Sequence, residues 1–515
     1  MLLERLLEYT GSDAYPFHMP GHKRNRNVGI TSFPNPFSVD ITEIDGFDNL
    51  HHAEGILKES MERAAALYGA DRSWYLVNGS SGGILSAVCA AVKPGGRILM
   101  ARNCHKAAYH AVMLNGLDPV YVYPGFVREP GIQGGIDPQK IEEALDREEE
   151  IGCVFLTSPT YEGIVSDVRA IAAAAHRRQI PLIVDEAHGA HLPFGGGFPE
   201  PALACGADAV IQSLHKTLPS LTQTAILHLK GDRISAERLD LYLSVFQSSS
   251  PSYVFLASIE NCLSYMAREG SRQMGAFARR LEVFTERCRG LSALGLLTDS
   301  ICGQDGVRAR DPSKLVVFCR GAGKTLSERG GAAADPAARG SGVWLAKQLR
   351  ERFLLEPEMA CETYVLLMTS LLDTQEGFDR LWTALDTLDQ ELLEAGLAAR
   401  AGGIEPGGKG APVLAGHEEK RMESGGGIRP LRRAMGISEA MNAAGRPVLL
   451  SDAPGRISRR FLTVYPPGVP LAVPGEILDE ETVCRLENAA RLGLTVEGLT
   501  DGMVSAVEEE QIEGR

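Results

Sequence analysis

Two stretches of the sequence decide the fold: Pro181-Leu-Ile-Val-Asp185-Glu-Ala-His188 and, shortly after it, Ala209-Val-Ile-Gln-Ser213-Leu-His215-Lys216-Thr217. Each begins with a short apolar run of the kind that forms a covered strand of a parallel sheet, and each ends in polar residues. Open α/β sheets place their active sites at the carboxyl edge, where the ends of such strands meet. The sequence therefore predicts an amine, Lys216, and a carboxylate, Asp185, at one edge of a buried sheet.

The surrounding sequence alternates between helical and strand-like patterns from about residue 54 to residue 210. Apolar residues from Leu57 to Tyr68 recur at helical spacing, and a second apolar helix is predicted from Ile84 to Val92. Further β-rich runs lie among the helices: Trp74-Tyr-Leu-Val, Arg97-Ile-Leu-Met, Pro119-Val-Tyr-Val-Tyr and Cys153-Val-Phe-Leu-Thr. This alternation predicts a doubly wound α/β domain with a mainly parallel sheet.

A chain of 515 residues is too long for one ordinary domain, so several structural units are expected. We predict an N-terminal segment (1–53) that begins with a short amphipathic helix, followed by a large domain (54–291) that ends in a long helix. A smaller α/β domain (292–395) has strand candidates at Lys314-Leu-Val-Val-Phe and Tyr364-Val-Leu-Leu-Met. A linker (396–427) leads to a C-terminal α+β module (428–515). The stretch 321–342 is also rich in Gly and Ala and is interpreted as a surface insertion.

Composition argues against several classes of function. The formal net charge of −14 disfavours general affinity for nucleic acid, which needs a basic surface. No apolar run approaches the roughly 18 residues of a membrane-spanning helix. The ten cysteines are scattered singly, without a CxxC pair, which favours reduced thiols in the cytoplasm and indicates no metal site. Arg320-Gly-Ala-Gly-Lys-Thr is not a P-loop, because Phe318 stands where the pattern requires glycine.

Four local features have the order and context that a pyridoxal 5′-phosphate (PLP) site needs. Small residues and hydroxyls in Asn78-Gly-Ser80-Ser81-Gly82-Gly, before an apolar helix, can hold a phosphate. Asp185 can keep a pyridine nitrogen protonated, and Lys216 offers an amine for a Schiff base. His105, in Arg102-Asn-Cys-His105-Lys106, can stack on a cofactor ring. Each feature alone has an ordinary interpretation, as an N-cap, a loop aspartate, a surface lysine or a loop histidine, so the prediction depends on their conjunction.

Several longer motifs resemble those of the Orn/Lys/Arg decarboxylase family. They are Pro20-Gly-His-Lys, Asp40-Ile-Thr-Glu-Ile-Asp-Gly-Phe-Asp-Asn-Leu-His-His, Arg102-Asn-Cys-His-Lys, Asp185-Glu-Ala-His-Gly-Ala-His and Ser213-Leu-His-Lys-Thr-Leu-Pro. Near the C-terminus, Gly455-Arg-Ile-Ser and Tyr465-Pro-Pro-Gly-Val-Pro-Leu-Ala-Val-Pro-Gly-Glu476 resemble the C-terminal domain of that family. The resemblance covers nearly the whole chain and is closest to the shorter bacterial members, which lack an N-terminal wing domain.

The resemblance implies a PLP-dependent transferase of fold type I and assigns roles to residues. Lys216 would bind PLP, Asp185 would pair with the ring nitrogen, His105 would stack on the ring, and His188 would lie beside it. The phosphate would lie among Ser80, Ser81, Gly82, Ser213 and His215, and Lys216 or His215 would return a proton to the substrate carbon. Ser249 and Ser250, in Gln247-Ser-Ser-Ser-Pro251, would reach the phosphate of the neighbouring subunit. A homodimer or higher oligomer with shared active sites is therefore expected.

The implied activity is decarboxylation of a basic amino acid: arginine, lysine or ornithine. The short architecture favours arginine, in the service of polyamine synthesis. Glu43, Asp45 and Glu476 are acidic candidates for binding the cationic end of the substrate. Two alternatives stay open at this point: another PLP enzyme of the same fold, such as an aminotransferase or an aldolase, and a non-catalytic PLP-binding regulatory protein.

Overall fold

The computed structural model describes residues 1–25, 30, 33–320, 339–401, 427–465 and 468–508, with only the backbone of 396–401. The two Gly- and Ala-rich stretches predicted from the sequence, 321–342 and 396–427, lie for the most part outside these residues. The predicted unit boundaries (1–53, 54–291, 292–395, 396–427 and 428–515) stay a proposal.

A seven-stranded sheet forms the centre of the molecule. Its strands, in spatial order, are Arg72–Leu76, Ala225–Leu229, Ala209–Ser213, Leu182–Asp185, Ile151–Thr157, Arg97–Ala101 and Asp118–Val122. From Ala209–Ser213 to Asp118–Val122 neighbouring strands run parallel, whereas Ala225–Leu229 is antiparallel to both of its neighbours. The prediction of a mainly parallel sheet is confirmed.

Apolar side chains explain why these runs form buried strands. Ile183, Val184, Val210 and Ile211 are fully enclosed, because helices cover the sheet. The helices of this region are Ile56–Tyr68, Gly79–Ala91, Lys106–Leu114, Pro138–Arg147, Val168–His176, Leu214–Thr217, Ala236–Phe246 and Tyr253–Cys288. Among the described residues, none of the helices is both long and apolar enough to cross a membrane.

The helix predicted to begin at Ile84 in fact begins at Gly79. Gly83 lies against the sheet so closely that an added Cβ would come within 2.6 Å of Leu76 Cδ1 and 3.0 Å of Ile211 Cγ2. Glycine is required there by packing and not by a turn, so the glycine content of the stretch does not mark where the helix begins. The result places the serines of the glycine-rich stretch in the first turn of a helix.

A second, antiparallel sheet contains Leu294–Leu296, Lys314–Cys319, Tyr364–Met368 and Met359–Ala360, in that spatial order. The helices Gly342–Phe353 and Gln375–Ala401 belong to the same part of the chain. Both strands predicted from the sequence in this region, at Lys314 and at Tyr364, are therefore confirmed.

The C-terminal part contains two three-stranded sheets and has its own apolar cluster, which includes Leu450, Leu462 and Leu486. Its elements are Ile437–Asn442, Gly445–Leu449, Leu462–Tyr465, Val469–Ala472, Glu480–Arg491, Thr495–Glu497, Leu499–Thr500 and Met503–Val507. Mixed helix and sheet content, as expected for an α+β module, is therefore present.

The N-terminal segment begins with the predicted helix, Leu2–Gly11, and continues into a strand, Tyr15–Phe17, that pairs parallel with Leu355–Pro357. Gly21 then donates its N–H to the carbonyl of His215 at 2.7 Å. An added Cβ on Gly21 would lie 2.7 Å from the carbonyl oxygen of Leu218, so only glycine fits. The segment therefore packs directly on the turn that carries Lys216.

Candidate active site

The carboxyl edge of the central sheet brings the two predicted groups together. Asp185 is the last residue of its strand and pairs in register with Ile211 of the next strand. That strand ends at Ser213, and the helical turn Leu214–Thr217 follows at once. Because the strands are parallel and both end at the carboxyl edge, the carboxylate and the amine of Lys216 lie at the same edge of the sheet.

Lys216 has a buried histidine as its nearest polar partner. Its Nζ lies 3.0 Å from Nε2 of His188, whose ring packs against Tyr161 at a centroid distance of 4.6 Å. Burial lowers the pKa of Lys216, while Asp185 acts in the opposite direction. Burial and the nearby Lys216 together hold the pKa of His188 well below its ordinary value, so this imidazole is neutral. A lysine with a lowered pKa is more readily available as a neutral, nucleophilic amine.

Asp185 is almost fully enclosed, with 3% of its surface exposed. Burial raises the pKa of its carboxyl group, and the charge of Lys216 and the N–H of Ala187, which donates to Oδ1 at 3.1 Å, act against that shift. An enclosed carboxylate at this edge is suited to a cationic hydrogen-bond donor, since a partner removes the cost of burying the charge.

The predicted phosphate residues meet at the start of the helix Gly79–Ala91. Ser80 Oγ and Ser213 Oγ share a hydrogen bond of 2.7 Å, although 133 residues separate them in sequence. Ser81 is exposed in the same turn, and Gly82 is buried next to Asn78. The first N–H groups of a helix have no partners within it, so this end of the helix can bind an anion.

Two further predicted histidines are held in defined tautomers. His105 Nδ1 accepts the N–H of Ala107 at 3.2 Å, which leaves any ring proton on Nε2. His215 Nδ1 donates to the carbonyl of Thr224 at 2.9 Å, so its Nε2 is an acceptor. Burial lowers the pKa of His105 to about 3 and that of His215 to about 4. Both rings are neutral at physiological pH, so Lys216 is better suited than His215 to deliver a proton.

Within the described residues no hydrogen bond joins Ser249 or Ser250 to Lys216. Both serines are exposed, and the neighbouring Ser248 accepts a hydrogen bond from His51 through its carbonyl oxygen. The residue before them, Gln247, is buried and accepts the N–H of Val77 beside the glycine-rich turn. The exposed serines are therefore available to another molecule.

Glu476 is not free to bind a substrate, which corrects the earlier expectation. Its Oε2 lies 3.0 Å from Arg102 Nη2 in an ion pair in which both side chains are at most 1% exposed. The same Arg102 donates to the carbonyl oxygens of Pro470 and Leu471. Glu476 therefore neutralises a buried cation and fastens the C-terminal part to the loop that carries His105.

The other two acidic candidates lie in the N-terminal segment. Asp45 is exposed, whereas Glu43 is half-buried and has an enclosed Oε1 without a partner in the described part of the chain. Glu43 contributes to raising the pKa of Tyr253, after the larger effect of burial, which places it near the start of the long helix. No contact in the described residues joins either group to Lys216.

Sequence reasoning missed Tyr161 and Glu358. Tyr161 follows the strand Ile151–Thr157 at the carboxyl edge, so the rule that identified Asp185 could have identified it as well. Its ring centroid lies 5.9 Å from Lys216 Nζ, and its hydroxyl donates to Glu358. Glu358 lies between the strand Leu355–Pro357, which pairs with the N-terminal segment, and the strand Met359–Ala360 of the second sheet, where no local pattern indicated a function.

Comparison with known proteins decides the family. Residues 1–292 match the family model of the Orn/Lys/Arg decarboxylase major domain, and residues 431–492 match the C-terminal domain of the same family. The chain belongs to the Orn/Lys/Arg decarboxylase family. It is therefore a PLP-dependent decarboxylase of a basic amino acid, which excludes the aminotransferase, aldolase and non-catalytic alternatives.

Individual relatives agree with this family membership over nearly the whole chain. An arginine decarboxylase of Halalkalibacterium halodurans is 32% identical over 94% of this chain and 92% of the relative. An arginine decarboxylase of Bacillus subtilis is 30% identical over 98% and 97%. The solved lysine decarboxylase LdcF of Francisella novicida has a TM-score of 0.71 at 20% identity and covers 98% of this chain and 81% of that one. The last comparison confirms the predicted fold, that of fold-type-I PLP enzymes.

The residues of this decarboxylase fit PLP. The site offers an amine, an enclosed carboxylate and a helix N-terminus with two serines, which match the aldehyde, ring nitrogen and phosphate of the cofactor. Three enclosed polar atoms on or beside these residues also lack a partner in the described chain: His188 Nδ1, Thr217 Oγ1 and Asn103 Oδ1. Buried polar atoms are normally satisfied, so their position suits a polar cofactor.

Proposed function

We propose that this decarboxylase acts on arginine, releasing CO2 and agmatine for polyamine synthesis in the cytoplasm. The observation that carries the proposal is the approach of Lys216 and Asp185 at the sheet edge of a chain that matches, over nearly the full length of both chains, two relatives named arginine decarboxylases. The ten cysteines are free thiols in the structure, in keeping with a reducing compartment.

Each residue of the site has a proposed task. When bound, PLP supplies an electron sink for the electron pair that remains when a bond to the substrate α-carbon breaks. Lys216 holds the cofactor and later returns a proton from Nζ to the substrate carbon. Asp185 keeps the proton on the ring nitrogen, and His105 covers one face of the ring. Ser80, Ser81, Gly82, Ser213 and His215 hold the phosphate.

His188 keeps the amine of Lys216 in place. As a neutral ring 3.0 Å from Nζ, it orients the amine without adding a second positive charge. Substrate orientation selects the reaction, so decarboxylation requires that the residues of the site hold the α-carboxylate in the position from which it is lost.

A side-by-side assay with arginine, lysine and ornithine tests the substrate. We expect CO2 release from arginine with kcat/KM at least about tenfold above that for the other two, because the substrates differ in length and head group. Parallel detection of 2-keto acids provides the control. A protein that prefers lysine or ornithine would contradict the assignment of arginine, and keto-acid formation without CO2 would contradict decarboxylation.

We further propose that the enzyme is a homodimer or higher oligomer in which Ser249 and Ser250 bind the phosphate of the neighbouring site. Support comes from their exposure in the single chain and from the contacts that hold the adjacent Gln247 beside the glycine-rich turn. Because the cofactor would then bind only the assembled form, PLP should protect the oligomer against dissociation on dilution.

Mixing two inactive variants tests the shared site. Ser249→Ala with Ser250→Ala should weaken PLP binding by roughly 1–3 kcal/mol, the value of lost charge-assisted hydrogen bonds. At a PLP concentration where this variant is largely without cofactor, adding Lys216→Ala subunits should restore activity, since one site of each mixed dimer is intact. Ser244→Ala, an exposed serine on the preceding helix, is the matched control. A mixture no more active than its components would refute shared sites.

A further inference from the structure

Glu358 is a carboxylate near the active-site lysine that forms no ion pair within the described residues. Its Oε2 accepts the N–H of Met19 at 2.8 Å, and its Oε1 accepts the hydroxyl of Tyr161. Both donors are neutral, and no Lys, Arg or His of the described chain forms an ion pair with it. Two hydrogen bonds hold the side chain in place. Because Glu358 is only half-buried, it is still accessible.

Tyr161 joins this carboxylate to the reactive centre. The His188 ring packs against the Tyr161 ring at a centroid distance of 4.6 Å, and Lys216 Nζ lies 5.9 Å from the Tyr161 ring centroid. Burial, followed by the charge of Glu358, raises the pKa of Tyr161, so its hydroxyl keeps its proton and stays a donor. Glu358 also acts to raise the pKa of Lys216, after the larger effects of burial and Asp185, as a nearby negative charge would.

Other acidic groups of this region already have partners. Glu476 is paired with Arg102. Glu162 is fully buried, accepts hydrogen bonds from Thr160 and Tyr364, and has a raised pKa because of burial. The remaining two form ion pairs with lysines: Asp311 with Lys314 and Asp373 with Lys23. Glu358 differs from Glu476, Asp311 and Asp373 in that it forms no ion pair within the described residues, although its charge also acts to raise the pKa values of Lys23, Lys216 and Lys314.

We propose that Glu358 binds the positively charged end of the substrate side chain and that the Tyr161 ring lines the way to it. The inference rests on the proposed function, in which the substrate is a basic amino acid. A guanidinium or ammonium group gains from a fixed carboxylate and from an aromatic face. A carboxylate held by two neutral donors and not engaged in an ion pair selects basic substrates, because only a cationic side chain gives it a charge-assisted hydrogen bond.

Glu358→Gln tests the proposal, because the amide oxygen can accept the N–H of Met19 and the amide NH2 can donate to the Tyr161 hydroxyl oxygen while the charge is removed. For the holoenzyme we expect KM for arginine, and the inhibition constant of agmatine, to rise about 10- to 100-fold, the range of a charge-assisted hydrogen bond. The visible absorption of bound PLP should not change. The matched control is Glu356→Gln, two residues away, where the carboxylate pairs with Arg350 on the surface. That variant should keep the wild-type KM and inhibition constant.

The outcomes separate this inference from the proposed function. If the wild type decarboxylates arginine and Glu358→Gln has unchanged KM and agmatine inhibition, the inference fails while the function stands. Loss of PLP absorption in Glu358→Gln would assign the residue a structural role and overturn the inference. A wild type that releases CO2 from no basic amino acid would overturn both.

Discussion

Replacing Lys216 by alanine is expected to lower kcat by at least about three powers of ten. The variant loses the amine that holds the cofactor at the sheet edge and the group best suited to return a proton to the substrate. His215 cannot readily take over, because its Nδ1 proton is engaged by Thr224 and its low pKa keeps the ring neutral. CO2 release from saturating arginine measures the effect. A variant with more than about a tenth of wild-type turnover would contradict the role of Lys216.

Asp185→Ala complements Lys216→Ala, because it should lower turnover without preventing cofactor attachment. The variant keeps Lys216 and the serines of the phosphate site, so PLP should still attach. Turnover should nevertheless fall by several powers of ten, since a cofactor ring without a protonated nitrogen is a poor electron sink. Absorption of the attached cofactor together with CO2 release measures both properties. Near-normal turnover would remove Asp185 from its proposed role.

The second large effect is expected on stability, at the buried pair of Arg102 and Glu476. Glu476→Ala leaves the guanidinium enclosed without its counter-charge, which should cost about 3–5 kcal/mol of unfolding free energy. Because Arg102 also binds two carbonyl groups of the C-terminal part, that part should separate first. Denaturant unfolding, with limited proteolysis to locate the opening, measures both effects.

Two further variants serve as controls for that pair. Exchanging both partners for methionine should be less destabilising than Glu476→Ala, because no unpaired buried charge remains. Lys106→Met breaks the partly exposed pair with Glu497 and should cost no more than about 1 kcal/mol. If Glu476→Ala proved no more destabilising than Lys106→Met, the buried pair would not make the proposed contribution to the free energy of unfolding.

The local sequence pattern was sufficient to predict the buried strands, because each of them is a short apolar run. The strands ending at Asp185 and Ser213 are short apolar runs, and the edge rule then placed Asp185 and Lys216 at one edge of the sheet. The start of the helix at Gly79 was missed, because Gly83 is required by its contact with Leu76 and Ile211 and not by a turn. Glycine-rich sequence does not distinguish these two causes.

Contacts between distant parts of the chain could not be predicted from local pattern. Tyr161 and Glu358 lie 197 residues apart, and Arg102 and Glu476 lie 374 residues apart. The sequence therefore predicted Glu476 to be a free acid, whereas in the fold it forms an ion pair with Arg102 from a distant part of the chain. Charge pairing at such separations depends on how the small sheet and the C-terminal part pack on the large sheet, and a single sequence contains no local signal for that.

Reduction of the holoenzyme with borohydride, followed by peptide mass spectrometry, tests the central claim most directly. Among the described residues, three lysines have lowered pKa values that are caused chiefly by burial: Lys23, Lys216 and Lys314. Lys23 and Lys314 each form an ion pair with an aspartate, whereas Lys216 lies at the sheet edge with neutral His188 as its hydrogen-bond partner. We expect a stable pyridoxyl group on Lys216. A pyridoxyl group on Lys23, Lys314 or any other lysine in place of Lys216 would contradict it.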